Sequence, residues 1–177
     1  MLETPDAALD QAFAWAVGRG SPVRAEEGRR LADWDASDLS HLLLEARGFR
    51  RVGAAALQDP DALIQEIVAG LFGVSAGGEG GRYILAPWLP EGWRKMALRR
   101  LRCHRTLLDI EVRPRAEWAI VRLAVLFGPP IAVELSLRNA GAVSRLTVDD
   151  VALEGERAIF VAQSEHEVMI FHAGGAR

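Results

Sequence analysis

Apolar positions in the first 72 residues recur with the period of a helix. Leu9, Ala12, Phe13, Ala16 and Val17 fall at i, i+3, i+4, i+7 and i+8, which places them on one helical face. Thr4 before Pro5 predicts an N-cap with proline at the first helical position, and Gly18, Gly20 and Ser21-Pro22 predict the end. A second helix is expected from about Ser37, with Leu39, Leu42, Leu43 and Ala46 as its buried stripe and Gly48 just past its end. The third has Asp59 as cap, Pro60 at the first turn and Leu63, Ile64, Ile67, Val68 and Leu71 as stripe, and stops at Gly73. The connector 23–34 offers a further short helix.

After the glycine-rich stretch 73–81 the period changes to two. Leu108-Asp-Ile-Glu-Val112 alternates apolar with charged residues, and residues 143–148 alternate in the same way. Strands are expected at 82–86, 96–103, 107–113, 117–126, 131–137, 143–149, 158–163 and 166–172. Turn residues separate them, among them Gly128-Pro129-Pro130 and Glu154-Gly155-Glu156. Helices followed by many short strands define an α+β chain: a short N-terminal helical subdomain (1–72), a glycine-rich linker (73–81) and an antiparallel β-sandwich (82–177).

Composition changes this picture little. The chain has 177 residues, half of them apolar and a quarter charged, as in an ordinary folded protein. Net charge is −3, with residues 1–78 at −5 (12 acids, 7 bases) and residues 79–177 at +2 (12 acids, 14 bases). Neither value calls for a polyanionic partner. The single cysteine, Cys103, excludes an intrachain disulfide and suits a reducing compartment. Met1-Leu2-Glu3-Thr4-Pro5-Asp6 lacks the basic and apolar parts of a leader, and no apolar stretch is long enough to span a bilayer. A cytoplasmic location is therefore expected.

Motifs of catalysis are sparse. Gly77-Gly78-Glu79-Gly80-Gly81 lacks the Gly-Lys-Ser/Thr and following helix of a phosphate loop, and reads as a link. His41, His104, His166 and His172 show no metal-ligand spacing, and no metal or cofactor is expected. Cys103 and His104 are placed on opposite faces of a strand, with Cys103 as a small buried hydrophobe. The basic run 94–105 lacks the interleaved aromatics of a nucleic-acid surface, and Asp109, Glu111 and Glu117 are placed to pair with it across strands. Neither a nucleic acid nor a membrane is expected as partner. Carboxylates beside tryptophan suit sugars, which stack on aromatic faces while acids grip hydroxyls. Asp33-Trp34-Asp35, and Trp88 and Trp93 around Glu91, are the candidate carbohydrate-binding residues. Asp33, Asp35 and Asp38 equally favour the N-terminus of the helix that follows them.

The junction carries a resemblance. Residues 63–74 read Leu-Ile-Gln-Glu-Ile-Val-Ala-Gly-Leu-Phe-Gly-Val, and residues 82–93 read Arg-Tyr-Ile-Leu-Ala-Pro-Trp-Leu-Pro-Glu-Gly-Trp. Leu98-Arg-Arg-Leu101, Leu108-Asp-Ile-Glu-Val112 and Ser144-Arg-Leu-Thr-Val-Asp-Asp-Val151 follow. Together they resemble the C-terminal end of six-hairpin glycosidases of the amylo-α-1,6-glucosidase (glycogen-debranching) and α-L-rhamnosidase types. There a last barrel helix steps into a small β-sandwich. The segments mark an architecture and no chemistry: the family's general acid lies upstream of anything matched, so the resemblance carries no catalytic residue onto this chain. It implies a non-catalytic or incomplete glycosidase-like module with a structural or assembly role. The alternatives are a carbohydrate-binding module using an exposed tryptophan (Trp88, Trp93 or Trp118) and residual glycoside hydrolase activity. Because the helical part alone cannot close a barrel, a second copy or a partner chain supplying barrel helices is expected.

Overall fold

The computed structural model describes residues 1–3, 67–76, 82–88, 92–138 and 141–172. Eleven strands lie within them: β1 (Leu2–Glu3), β2 (Ser75–Ala76), β3 (Tyr83–Leu85), β4 (Met96–Cys103), β5 (Thr106–Pro114), β6 (Trp118–Phe127), β7 (Ile131–Leu135), β8 (Val143–Val148), β9 (Val151–Leu153), β10 (Ala158–Ala162) and β11 (Glu165–His172). They form a seven-stranded sheet of order β1-β4-β5-β6-β11-β8-β9 and a four-stranded sheet of order β10-β7-β3-β2.

Period-two alternation decides how the sheets meet. Leu108, Ile110 and Val112 of β5 and Ala119, Val121 and Leu123 of β6 point inward and are fully or almost fully buried. They pack in one core with Leu85, Val133 and Leu135 of the smaller sheet. The intervening residues Asp109, Glu111 and Arg122 face outward. Eight of the strands match the expected ones to within a residue or two.

The expected purely antiparallel sandwich is corrected at one pair: β3 and β7 run parallel, with Tyr83 beside Val133 and Leu85 beside Leu135. The chain leaves the smaller sheet after β3, builds the β4–β5–β6 meander of the other sheet, and returns at β7 from the same end. A parallel pair requires a long crossover of this kind. Of the expected helical subdomain, only the end of the third helix lies within the described residues, as a π-type turn at Ile67–Leu71. The first two helices fall outside them. Leu2–Glu3, within the expected helical segment, instead add an edge strand to β4, with Leu2 opposite Leu98. Ser75–Ala76, within the expected linker, pair with β3.

Sharp turns fix the register of the meander. Cys103 pairs with Thr106 across the turn His104–Arg105, so His104 lies in the turn at φ 55° and not on the face of a strand opposite Cys103. Gly128 leaves β6 at φ +108°, with its backbone against the β4–β5 hairpin. A Cβ there would lie 2.3 Å from the Arg105 carbonyl oxygen and 2.7 Å from Thr106 Cα. The Thr106 hydroxyl donates to the Pro129 carbonyl at 2.7 Å and closes the same corner.

Gly128→Ala should therefore cost more than about 2 kcal/mol, through left-handed strain together with backbone overlap. Urea denaturation followed by tryptophan fluorescence reads this, and an unchanged midpoint would show the corner to be adaptable.

Candidate functional site: a clamp on a helix end

The parallel pair brings the C-terminal ends of β3 and β7 together beside the turn Ile67–Leu71. Leu71 and Phe72 enter the shared core with 0% exposure. Carbonyls in the last turn of a helix lack partners within the helix and must find them elsewhere. Here Leu71 O accepts from the Trp88 amide at 2.9 Å and Val68 O from the Val74 amide at 3.2 Å. The Arg138 guanidinium donates to Gly70 O and, at 3.5 Å, to Ala69 O. A cation at this position also complements the negative end of the helix dipole. Burial pulls the Arg138 guanidinium below its ordinary value.

The strand extensions complete the clamp. Gly73 O accepts from the Ala86 amide at 3.3 Å, Leu85 O from Ser136 at 3.0 Å and Pro87 O from Arg138 at 3.2 Å. Gly73 sits at φ +62°, and a Cβ on it would lie 2.1 Å from the Ala86 carbonyl oxygen. Only glycine lets the two backbones approach this closely. Trp88, whose amide joins this connection, and Trp93 are both expected to hold sugar; both residues are half-buried and pack against the core.

A second organised region covers the outer face of the larger sheet. Cross-strand register aligns Glu3, Ala97, Glu111, Arg122 and Glu167 in one row. Glu111 accepts from Arg99 at 2.8 Å and from Arg113 at 2.5 Å, and Lys95 lies 3.3 Å away. Arg99 also reaches Glu3 at 3.3 Å and Asp109 at 3.4 Å. The expected pairing of the basic run with Asp109 and Glu111 is thus present. Glu117 instead offers its backbone carbonyl to the His172 amide. Burial pushes the Glu111 carboxyl up, but the hydrogen bonds and charges of Arg113 and Lys95 outweigh it and hold the group below its ordinary value of 4.5. Glu3 is held low in the same way: Arg99 and Lys95 override its burial.

One end of this face carries aromatic rings. Trp118 lies opposite Phe171, with Arg115 over the Trp118 ring at 5.6 Å and Arg145 over the Phe171 ring at 5.5 Å. A guanidinium therefore already occupies one side of each ring.

Asp149 and His166 have structural partners. Asp149 accepts from the Glu167 amide at 2.8 Å and lies 2.7 Å from His166 Nδ1. The Glu167 amide, above all, holds its carboxyl below the ordinary value, and His166 adds to this against burial. The Gln163 amide donates to His166 Nε2 at 3.3 Å, so that ring joins the β8–β9 and β10–β11 turns. Burial raises the Cys103 thiol to about 11, which leaves it a packed hydrophobe with negligible thiolate at neutral pH. His172 Nδ1 is buried without a hydrogen-bond partner. Asp33, Trp34 and Asp35, together with Asp38 and His41, lie outside the described residues. Sequence reasoning missed Arg138: a lone arginine just past β7 gives no signal until the fold brings it to the helix end.

No family model matches the sequence, and no curated protein matches it. Among solved structures the chain is similar to a GH127 β-L-arabinofuranosidase from Geobacillus stearothermophilus T6, at a TM-score of 0.44 and 8% identity. The match covers 68% of this chain and 19% of that enzyme, so the chain spans about a fifth of the enzyme's length. A glycosidase is thus a weak structural neighbour, too distant to assign a family or an activity. No helix among the described residues is long and apolar enough to cross a membrane, which says nothing of β-barrels.

Carboxyls whose folded values lie below their unfolded ones stabilise fully above the unfolded value, and lose that stability as pH falls through the folded value. For Glu3 and Glu111 the loss begins below about pH 4.5. Glu111→Gln should cost about 1–3 kcal/mol at neutral pH, because it leaves Lys95, Arg99 and Arg113 facing a neutral amide. It should also flatten the acid limb of the stability curve. Denaturation midpoints from neutral pH to pH 3 read both effects, and an acid limb identical to wild type would refute the assignment.

Proposed function

We propose that this chain is a non-catalytic, glycosidase-like β-sandwich module whose role is structural: it anchors the helical chain that enters it. The clamp carries this reading. Carbonyls from three consecutive residues, Ala69, Gly70 and Leu71, are taken up by Arg138 and Trp88, while Leu71 and Phe72 are sealed into the core. A sandwich that satisfies a helix end in this way fixes the direction from which the helix leaves it. Carboxylate chemistry supports the reading from another side. A general acid needs a carboxyl value raised toward neutrality. Glu3, Glu111 and Asp149 are all held low by cations or amide donors, which commits them to structural pairing.

The junction's resemblance to six-hairpin glycosidases fits the same role, since in those enzymes the last barrel helix steps into such a sandwich. Sugar binding through Trp88 or Trp93 is the competing reading. It needs open ring faces, whereas both rings are half-buried against the core. A second copy or a partner chain carrying further helices would dock on the helical side in this scheme.

Arg138→Ala should speed amide hydrogen exchange in 68–74 and at Trp88 by about tenfold or more, corresponding to roughly 1.4 kcal/mol of lost local stability, and leave β5, β6 and β11 protected. Wild-type protein should show no turnover of aryl α-glucosides, α-L-rhamnosides or β-L-arabinofuranosides, and no saturable tryptophan quenching by the parent sugars. Turnover abolished by a single carboxylate substitution would replace the structural reading with an enzymatic one. Saturable quenching lost in Trp93→Ala would replace it with a carbohydrate-binding one.

A further inference from the structure

Between β10 and β11 the chain crosses from the smaller sheet to the larger one through Gln163 and Ser164. His166 stands just past this crossing, with a side chain 12% exposed. Both of its ring nitrogens are committed, and the two commitments differ in kind. Nε2 faces the Gln163 amide at 3.3 Å. A backbone N–H can only donate, so Nε2 must accept and carries no proton. Nδ1 lies 2.7 Å from Asp149 Oδ2. That carboxyl is held below its ordinary value, above all by the Glu167 amide, and is ionised at neutral pH, so Nδ1 must donate. One tautomer satisfies both partners: the neutral ring with its proton on Nδ1.

The backbone fixes Asp149 independently of the ring. Asp149 and Asp150 form the two-residue β8–β9 turn, both left-handed at φ 49° and 67°, as a tight hairpin of this kind requires. The Asp149 amide donates to Glu167 O at 2.9 Å, and Asp149 Oδ1 accepts from the Glu167 amide at 2.8 Å. The other surroundings of the ring are apolar, exposed or already paired. From β10, Phe160 packs against it with centroids 5.3 Å apart. From β6, the fully buried Leu123 lies opposite. On its own strand, the Glu167 carboxylate is bound to Arg122 at 2.8 Å. Glu165 and Asp150 are exposed. Among the described residues, Asp149 is thus the charged group that meets the ring.

We propose that His166 is a proton-operated joint between the two sheets: the neutral ring ties the β8–β9 turn to the crossing at Gln163, and the protonated ring keeps Asp149 and releases Gln163. A second proton can enter only at Nε2, where it turns an acceptor into a donor facing the Gln163 N–H. That hydrogen bond is lost, while the contact with Asp149 becomes a charge-assisted pair. The bond from the Val125 amide to Ser164 O, at 2.9 Å, has no part in the change and remains. Acid therefore loosens one turn and tightens the other. The joint shares no residue with the helix clamp and does not depend on the role assigned to it.

NMR on the full chain, from about pH 8 to about pH 4.5, tests the proposal. Asp149, lowered from 3.8, stays ionised throughout this range. At the alkaline end the ring nitrogen shifts should place the proton on Nδ1. As the ring takes up its second proton, exchange of the Gln163 amide, corrected for the intrinsic effect of pH, should accelerate about tenfold or more. The Glu167 and Val125 amides should stay protected. Asp149→Asn keeps an acceptor oxygen for Nδ1 and removes the charge, so it should move the ring titration and the Gln163 transition by the same amount. His166→Phe keeps a ring against Phe160 without either nitrogen, and should leave the Gln163 amide fast at every pH. The wild-type readings decide the matter without either variant. A neutral ring protonated on Nε2, a Gln163 amide indifferent to the ring's charge, or a Glu167 amide released together with it would overturn the proposal.

Discussion

The whole arrangement depends on the two-sidedness of β5 and β6. Leu108, Ile110, Val112, Val121 and Leu123 must be dry on one face while Asp109, Glu111 and Arg122 occupy the other. A slip of one residue in either strand would carry every apolar side chain out of the core and every charge into it. The hairpin at His104–Arg105 and the glycine corner at Gly128 set that register together at the start of β5. The ion-paired row on the outer face reinforces it, because Glu111 meets Arg99 across the β4–β5 pair only in this alignment. The Glu111 cluster contributes less through attraction alone than through the cost of a misregistered sheet, which would strand its charges among apolar neighbours.

The parallel β3–β7 pair follows from that commitment. Once the β4–β5–β6 meander is built as a unit of the larger sheet, the chain returns to the smaller one beside β3 and in the same direction. Both strand ends then emerge at one place. The pair creates a small patch of donors, backbone amides and one guanidinium, that need acceptors, and the last turn of a helix is a source of such acceptors. Gly73 makes the approach possible, while Leu71 and Phe72 supply the apolar surface that holds it shut. The clamp is thus the local consequence of a topological choice made elsewhere.

These relations also decide what could be read from the sequence. Strands with a core face and at least five residues declare themselves through alternation, and all of these were legible to within a residue or two. Leu2–Glu3, Ser75–Ala76 and Val151–Leu153 are too short to show a period and exist only because a longer neighbour offers them hydrogen bonds. The pairing of Arg99 with Asp109 and Glu111 was legible because β4 and β5 form a tight hairpin. Arg138 was not, because its partners at Ala69 and Gly70 lie far away in sequence. The direction of β3 against β7 was equally hidden, since a strand of three residues carries no mark of its neighbour's direction. The expected sugar-binding positions divide between Trp88 and Trp93, which the fold turns toward the core, and Asp33, Trp34 and Asp35, which lie outside the described residues.

The two sheets treat their edges differently. The larger sheet tapers, since both its outermost strands are short: β1 has two residues and β9 three. The smaller sheet tapers on one side only, through the three-residue β3 to the two-residue β2. Its other side, β10, must keep its length because Ala158 and Ala162 are fully buried parts of the core. A strand that is needed inside for packing cannot be shortened for protection. It can be charged on its outward face, yet Ile159 and Val161 leave that face apolar.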